Sequence, residues 1–221
     1  MPIAFFDLDR TLISVNSGQL WVAFERREGR IRVGQAARAA LWIFGYHLGF
    51  SRMEPILEEA IATLAGEEEE VLRERSLRFY RNEVERTFRP GARPALQQHR
   101  EQGHHLALLT SSSLYLSEAV GESLGIPHIC CNQFQVAGGR FTGQPERPLC
   151  FGAGKLVHAE RLAEQLGEKL EDSWFYTDSY SDLPVLLRVR HPVVVNPDPA
   201  LAREARRRGW TQLDWGGSKN P

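Results

Sequence analysis

Four short, almost continuously apolar runs constrain this chain more than anything else in it. They are Ile3-Ala4-Phe5-Phe6-Asp7, His105-Leu106-Ala107-Leu108-Leu109-Thr110, Ser173-Trp174-Phe175-Tyr176-Thr177 and Pro192-Val193-Val194-Val195-Asn196. Apolar runs without alternation suit strands covered on both faces, which is the condition of a parallel sheet. Helical patterning lies between them, at 94–102, 114–124, 155–166 and 182–189. Strand and helix in alternation predict an α/β fold with a parallel sheet.

The stretch 16–89 breaks the alternation and reads as helical throughout. Ser17 is the expected cap of a first helix running to Glu28 and closed by Gly29. A second spans 31–48. Ser51 caps a third, with Glu54 as its capping-box partner. The run Glu67-Glu68-Glu69-Glu70 fits the first turn of a fourth, which ends near Phe88. Acidic charge favours a helix amino end, so this run is expected to be a solvated helix start and not a functional acid patch. The expected division is a core of residues 1–15 and 90–221 and a helical cap of residues 16–89 over the sheet's carboxyl edge. Phe134-Gln135-Val136-Ala137, Gly138-Gly139 and Arg140-Phe141-Thr142 predict a hairpin with a two-glycine turn. The segment 216–221 is expected to fray.

Composition removes several function classes. The chain has 221 residues, 42% hydrophobic and 25% charged, enough for a sizeable core. With 27 basic against 28 acidic residues it has no global field for nucleic acid. Cys130, Cys131 and Cys150 form no Cys-x-x-Cys pair, and the start Met1-Pro2-Ile3 has no secretory pattern. Free thiols in a reducing cytoplasm are expected. Residues 36–50 are rich in apolar side chains, but Arg38, His47 and two glycines interrupt them. That is short of the roughly 20 residues a membrane span needs, so no stable membrane insertion is expected.

Chemistry gathers at the carboxyl ends of the predicted strands, where open parallel sheets bind ligands. Asp7 and Asp9 close the first run. Side chains two apart on a strand share a face, and two buried acids on one face need a cation or a task. The second run ends in Thr110-Ser111-Ser112-Ser113. The third is followed by Asp178, Ser179, Tyr180, Ser181 and Asp182, and Lys155 follows Gly152-Ala153-Gly154. Four acids repel unless a hard cation with oxygen ligands joins them, and Mg²⁺ suits that donor set. Hydroxyls and backbone N–H groups at a helix start suit an anion. A cation, an anion cradle and a carboxylate nucleophile together predict phosphoryl transfer. The glycines before Lys155 do not make a nucleotide-binding loop, because Leu149 and Leu156 replace the required glycine and hydroxyl. His104-His105 has poor spacing for one metal site and reads as a strand entry. Cys130-Cys131 reads as a buried strand end.

These motifs, in this order, resemble the haloacid dehalogenase superfamily of aspartyl phosphatases. The helical insert and the Arg140-Phe141-Thr142-Gly143 hairpin are similar to its subfamily IB, which contains phosphoserine phosphatase. The resemblance implies a Rossmann-like core and a Mg²⁺-dependent phosphatase acting on a small phosphomonoester. It implies Asp7 as nucleophile and Asp9 as general acid and base. Thr110 and Ser111 would hold the phosphoryl oxygens, and Lys155 would neutralise charge between nucleophile and phosphate. Asp7, Asp178 and the Asp9 carbonyl would bind Mg²⁺, with Asp182 steadying the metal site from behind. A phosphotransferase, a lipid phosphatase resembling phosphatidylglycerophosphatases and a non-catalytic phospholigand-binding protein are the alternatives. Trp42-Ile43-Phe44-Tyr46 would line a lipid-accepting mouth, or else form the cap's own core. Phosphoserine phosphatases carry an acid and an arginine for the zwitterionic substrate. Asn16 and Ala60 stand at those positions here, so phosphoserine is expected to be a poor substrate. Oligomeric state is left open by the sequence.

Overall fold

The computed structural model describes residues 1–30 and 53–217. The expected second helix at 31–48, the Ser51 cap and the aromatic run at 42–46 lie outside the described residues. A parallel sheet has the order β3-β2-β1-β6-β7-β8. Its strands are β1 (Ile3–Phe6), β2 (His105–Ser113), β3 (His128–Asn132), β6 (Trp174–Thr177), β7 (His191–Val195) and β8 (Thr211–Leu213). All neighbouring pairs are parallel. β1 is central, and the order reverses between β1 and β6. An open sheet forms its ligand crevice at such a switch point.

Period-two alternation explains why β1 is apolar on both faces. Ala4 and Phe6 enter one core with Leu106, Leu108, Val193 and Val195. Ile3 and Phe5 enter the other with Ala107, Leu109, Phe175 and Val194. On the first face lie α1 (Ser17–Arg27), α3 (Glu69–Phe79), α4 (Ala92–Glu101) and α5 (Leu114–Leu124), which follow α2 (Met53–Ala62) or flank it in chain order. The second face is covered by α6 (Ala153–Leu166), α7 (Leu183–Leu186) and α8 (Pro199–Arg208). The fold is the expected Rossmann-like α/β architecture.

Several boundaries differ from expectation. Asn16, not Ser17, caps α1: its Oδ1 accepts from the Gln19 amide at 2.9 Å, while Ser17 is the first helical residue. Glu67 and Glu68 lie outside α3, which starts at Glu69. Glu67 is not simply solvated. It takes both ends of the Arg75 guanidinium, at 2.6 and 3.2 Å, beside the buried Glu25. The fourth helical stretch does not run straight to Phe88, but changes to a wide turn at Tyr80–Val84 and a tight one at Glu85–Thr87. The expected helix at 182–189 is one turn long. β4 (Phe134–Ala137) and β5 (Arg140–Pro145) form the expected hairpin through Gly138 and Gly139. Its turn bonds to the corner before α3, with the Glu69 amide on the Gly139 carbonyl at 3.0 Å. No helix among the described residues is long and apolar enough to cross a membrane.

Candidate active site

β1 ends at Phe6, and its register places Asp7 beside the end of β6, where the Asp7 amide donates to the Tyr176 carbonyl at 2.9 Å. The chain then makes one wide turn over Leu8–Leu12, within which Arg10 takes a left-handed conformation, φ 56°. This reversal holds Asp9 at the sheet edge. Its Oδ1 accepts from the Ser17 amide at 2.8 Å, so the amino end of α1 anchors the carboxylate.

Lys155 joins the acids from a separate element. Its Nζ donates to Asp7 Oδ1 and to Asp182 Oδ2, each at 2.8 Å. The three side chains are almost fully buried. Lys155 reaches them because α6 begins against the preceding loop: a Cβ at Gly154 would lie 1.9 Å from the Leu149 carbonyl oxygen, so only glycine allows that approach. Thr177 Oγ1 donates to Asp182 Oδ2 at 2.7 Å. Asp182 flanks α7 without capping it through its side chain, and its Oδ1 is buried with no hydrogen bond.

The electrostatics follow from burial. Desolvation pushes the Asp7 carboxyl up, Lys155 opposes it, and Asp182 and Asp9 add repulsion. Burial and the charges of Asp7 and Asp182 hold Asp178 well above the usual carboxylate range. Burial also raises Asp9, against the Ser17 N–H. Burial would lower the Lys155 ammonium, but Asp182 and Asp7 hold it above its ordinary value. One ammonium thus faces a crowd of buried carboxyls. No hydrogen bond reaches the Asp178 side chain among the described residues.

That surplus of negative charge tests the fit of a divalent cation. Asp7 and Asp178 are buried carboxyls whose charges act on each other, and a pair of hard oxygen donors fits such an ion. The unpartnered Asp178 carboxyl is what such an ion would satisfy. Among the described residues no group of three or more His, Cys, Asp or Glu side chains is arranged to hold a metal ion, so such an ion would rest on two carboxylates with backbone and non-protein oxygens.

Thr110 is buried, and its Oγ1 accepts from the Ser112 amide at 3.2 Å. The hydroxyl cluster runs to a helix start, with Ser113 at the cap position of α5 but without a side-chain cap hydrogen bond. β2 continues to Ser113, paired with Asn132 across a shifted register, and α5 starts at Leu114. Ser111 is held through its carbonyl, which accepts from Asn132 Nδ2 at 2.6 Å. Asn132 Oδ1 accepts from the Cys150 amide at 2.8 Å, so one side chain ties the end of β2 to the loop before Lys155. Ser17 and Ser112 hydroxyls meet at 3.0 Å. Sequence reasoning missed Ser17, Ser112 and Asn132 in this role; an asparagine ahead of a hairpin carries no signal of it. His104 and His105 are not a metal pair: His104 Nδ1 meets His99 Nδ1 at 2.8 Å, and His105 opens β2. Cys130 and Cys131 lie buried in β3.

Known proteins are similar to this chain in sequence and fold. The profile of the haloacid dehalogenase-like hydrolases matches residues 4–187. A histidinol-phosphatase of Neisseria meningitidis serogroup C is 29% identical over 218 residues, covering 96% of this chain and 98% of that one. A solved protein of unknown function from Bordetella pertussis Tohama I superposes with a TM-score of 0.89 at 29% identity, over 97% of this chain and 99% of that one. A phospho-aspartyl intermediate analogue of phosphoserine phosphatase superposes with a TM-score of 0.72 at 18% identity, over 98% and 94%, and shares the fold.

Proposed function

The chain belongs to the haloacid dehalogenase-like hydrolases, and from that premise we propose that it is a phosphomonoesterase working through an aspartyl phosphate on Asp7. The observation that carries this reading is the buried contact of Lys155 with Asp7 at 2.8 Å, at the sheet's switch point. An ammonium at that position orients the carboxylate and opposes the burial that disfavours its ionised form. It also meets the negative charge that a phosphoryl group brings.

In the first step Asp7 Oδ attacks phosphorus, the ester P–O bond breaks, and the leaving oxygen takes a proton from Asp9. In the second step water gives a proton to Asp9 and attacks phosphorus, and the bond to Asp7 breaks to release phosphate. The Ser17 amide fixes the Asp9 carboxyl for both transfers. Thr110 and the Ser111 backbone hold the phosphoryl oxygens, with Asn132 supporting Ser111 from behind. Asp7, Asp178 and the Asp9 carbonyl would hold Mg²⁺, which neutralises phosphoryl charge when bound. Asp182 steadies Lys155. Residues 16–89 act as the cap over this edge, and the substrate is a small phosphate ester.

Asn16 supports a substrate preference. Its side-chain oxygen is engaged in capping α1, and Ala60 is exposed on α2. Neither offers the charged partner that the phosphoserine zwitterion needs, and unpaired substrate charge is strongly rejected. Phosphoserine is therefore a poor substrate. The likeness to a histidinol-phosphatase makes histidinol phosphate the first ester to include in a metabolite panel.

Turnover of p-nitrophenyl phosphate that disappears with EDTA, returns with Mg²⁺ and is absent in Asp7→Asn is the expected result. Normal turnover by Asp7→Asn overturns the reading. Added alcohols that yield a new phosphate ester would move the assignment to a phosphotransferase.

A further inference from the structure

Arg89 has no place in the chemistry just described, yet it is among the most buried charged residues, with 3% exposure. No carboxylate lies within ion-pair distance of it among the described residues. Its hydrogen bonds go to backbone carbonyls. Nε donates to the Arg10 carbonyl at 2.9 Å. Nη1 donates to the Gly216 carbonyl and, at 3.4 Å, to that of Gly217. The charges of Asp178 and Asp214 act on it, but its hydrogen bonds go to carbonyls from two distant segments, and a costly buried guanidinium placed there points to a task at the place they share.

Three segments meet there. The turn that carries Asp9 leaves through Leu12 and Ile13. The chain returning from the helical insert lies antiparallel beside it, with Ile13 opposite Phe88, the Ser14 amide on the Thr87 carbonyl at 2.9 Å and the Arg89 amide on the Leu12 carbonyl at 2.8 Å. The third is 214–217, whose last two residues open the segment 216–221 that was expected to fray. It is tied instead to the end of β7, where Asn196 Nδ2 donates to Asp214 Oδ1 at 2.5 Å and Asn196 Oδ1 accepts from the Trp215 amide at 3.1 Å. The Gly91 amide donates to the Trp215 carbonyl at 3.2 Å.

The Arg10 carbonyl is the informative acceptor. Arg10 follows Asp9 and sits in the left-handed region, which costs a non-glycine residue on the order of 1–3 kcal/mol unless its surroundings hold it there. The Ser17 amide holds the Asp9 side chain, and Arg89 holds the next carbonyl. The turn is thus pinned on both sides of the Asp9 Cα.

We propose that Arg89 is a positioning residue that sets Asp9 for proton transfer, linking the Asp9 turn to the 214–217 segment; this rests on the phosphomonoesterase reading above. If Arg89 is lost, the turn relaxes and Asp9 is displaced from the leaving oxygen. A displacement of about 1 Å can cost up to roughly a hundredfold in rate. In formation of the aspartyl phosphate the loss falls on substrates whose leaving group needs a proton, while the slower hydrolysis of that intermediate is common to all.

The test compares kcat/KM, which reports formation of the aspartyl phosphate and not its hydrolysis, on an alkyl phosphate and on p-nitrophenyl phosphate, whose leaving group departs without help. In Arg89→Lys and Arg89→Gln the alkyl rate should fall about tenfold or more and the aryl rate less than about threefold. The same variants made in Asp9→Asn should show no further change in the alkyl-to-aryl ratio. Gly217→Ala leaves Arg89 in place but puts a methyl 3.2 Å from its Nη1, in a backbone with φ +86° that favours glycine. It should shift the ratio in the same direction and by less. Equal loss on both substrates, or an unchanged ratio in all three single variants, overturns the proposal. Wild-type turnover that survives Asp7→Asn sinks the phosphomonoesterase reading instead, and the two failures are read from different proteins.

Discussion

The two ends of β6 hold buried titratable groups in opposite ways. At the carboxyl end, Thr177 leads into Asp178 and Asp182, and several carboxyls share the one ammonium of Lys155. At the amino end, Trp174 is sandwiched between His104 at 4.5 Å and His191 at 4.0 Å. His99 there meets His104 Nδ1 through its Nδ1 and the Tyr176 hydroxyl through its Nε2, each at 2.8 Å. That end is a neutral, stacked and hydrogen-bonded patch, complete in itself. The carboxyl end is left with repulsion and an unpartnered Asp178. The same strand thus carries packing at one end and an excess of buried carboxyls at the other, the kind of imbalance found where ligands bind.

Lys155→Met tests the contrast most severely. It leaves Asp7 and Asp182 without their shared counter-charge, so urea unfolding should show a loss of about 3–5 kcal/mol together with loss of turnover. A variant as stable as wild type would mean that Lys155 does not organise the acids.

At the opposite end the effect is one of pH. Burial, with His104 and His191 nearby, depresses His99 to about 4. A histidine depressed in the folded state contributes stability above the unfolded pKa of about 6.5, lost as pH falls toward 4. Urea midpoints should fall across that window, by roughly 2–3 kcal/mol in free energy for this group. His99→Gln should be less stable at pH 7.5 and show a shallower acid slope. An equal slope in both proteins would place the acid sensitivity elsewhere.

Asp178→Asn sharpens the comparison from the other side. It removes a repelling buried charge, so in EDTA it should raise stability by about 0.5–2 kcal/mol while turnover in Mg²⁺ is lost. Destabilisation in EDTA would show that the acidic end is as self-satisfied as the histidine end. The finest test is substrate choice. Phosphoserine should rank low by kcat/KM in a metabolite panel, and finding it first would refute the reading of Asn16 and Ala60.

Much of this was legible because one physical signal covers it. β1, β2, β6 and β7 are buried on both faces and announce themselves as apolar runs. Asp7, Thr110, Lys155 and Asp178 follow as the polar residues that end those runs or open the next helix. β8 was not legible, since Thr211–Leu213 is a short edge strand without an apolar run. α8 buries only Leu201 and Ala205 on its inward face, too few to set a helical period, although Asp198 caps it and Gly209 closes it. Asn132 and Arg89 were invisible for another reason. They act on backbone carbonyls 21, 79 and 127 residues away, and any residue type presents a carbonyl.

The central claim is that Asp7 takes the phosphoryl group covalently. Acid-quenching the enzyme with a ³²P-labelled substrate and mapping the label by peptide digestion tests it directly. A hydroxylamine-sensitive label on the peptide containing Asp7, absent in Asp7→Asn, is the expected result. A label on any other residue, or full turnover with no labelled protein at any quench time, contradicts it.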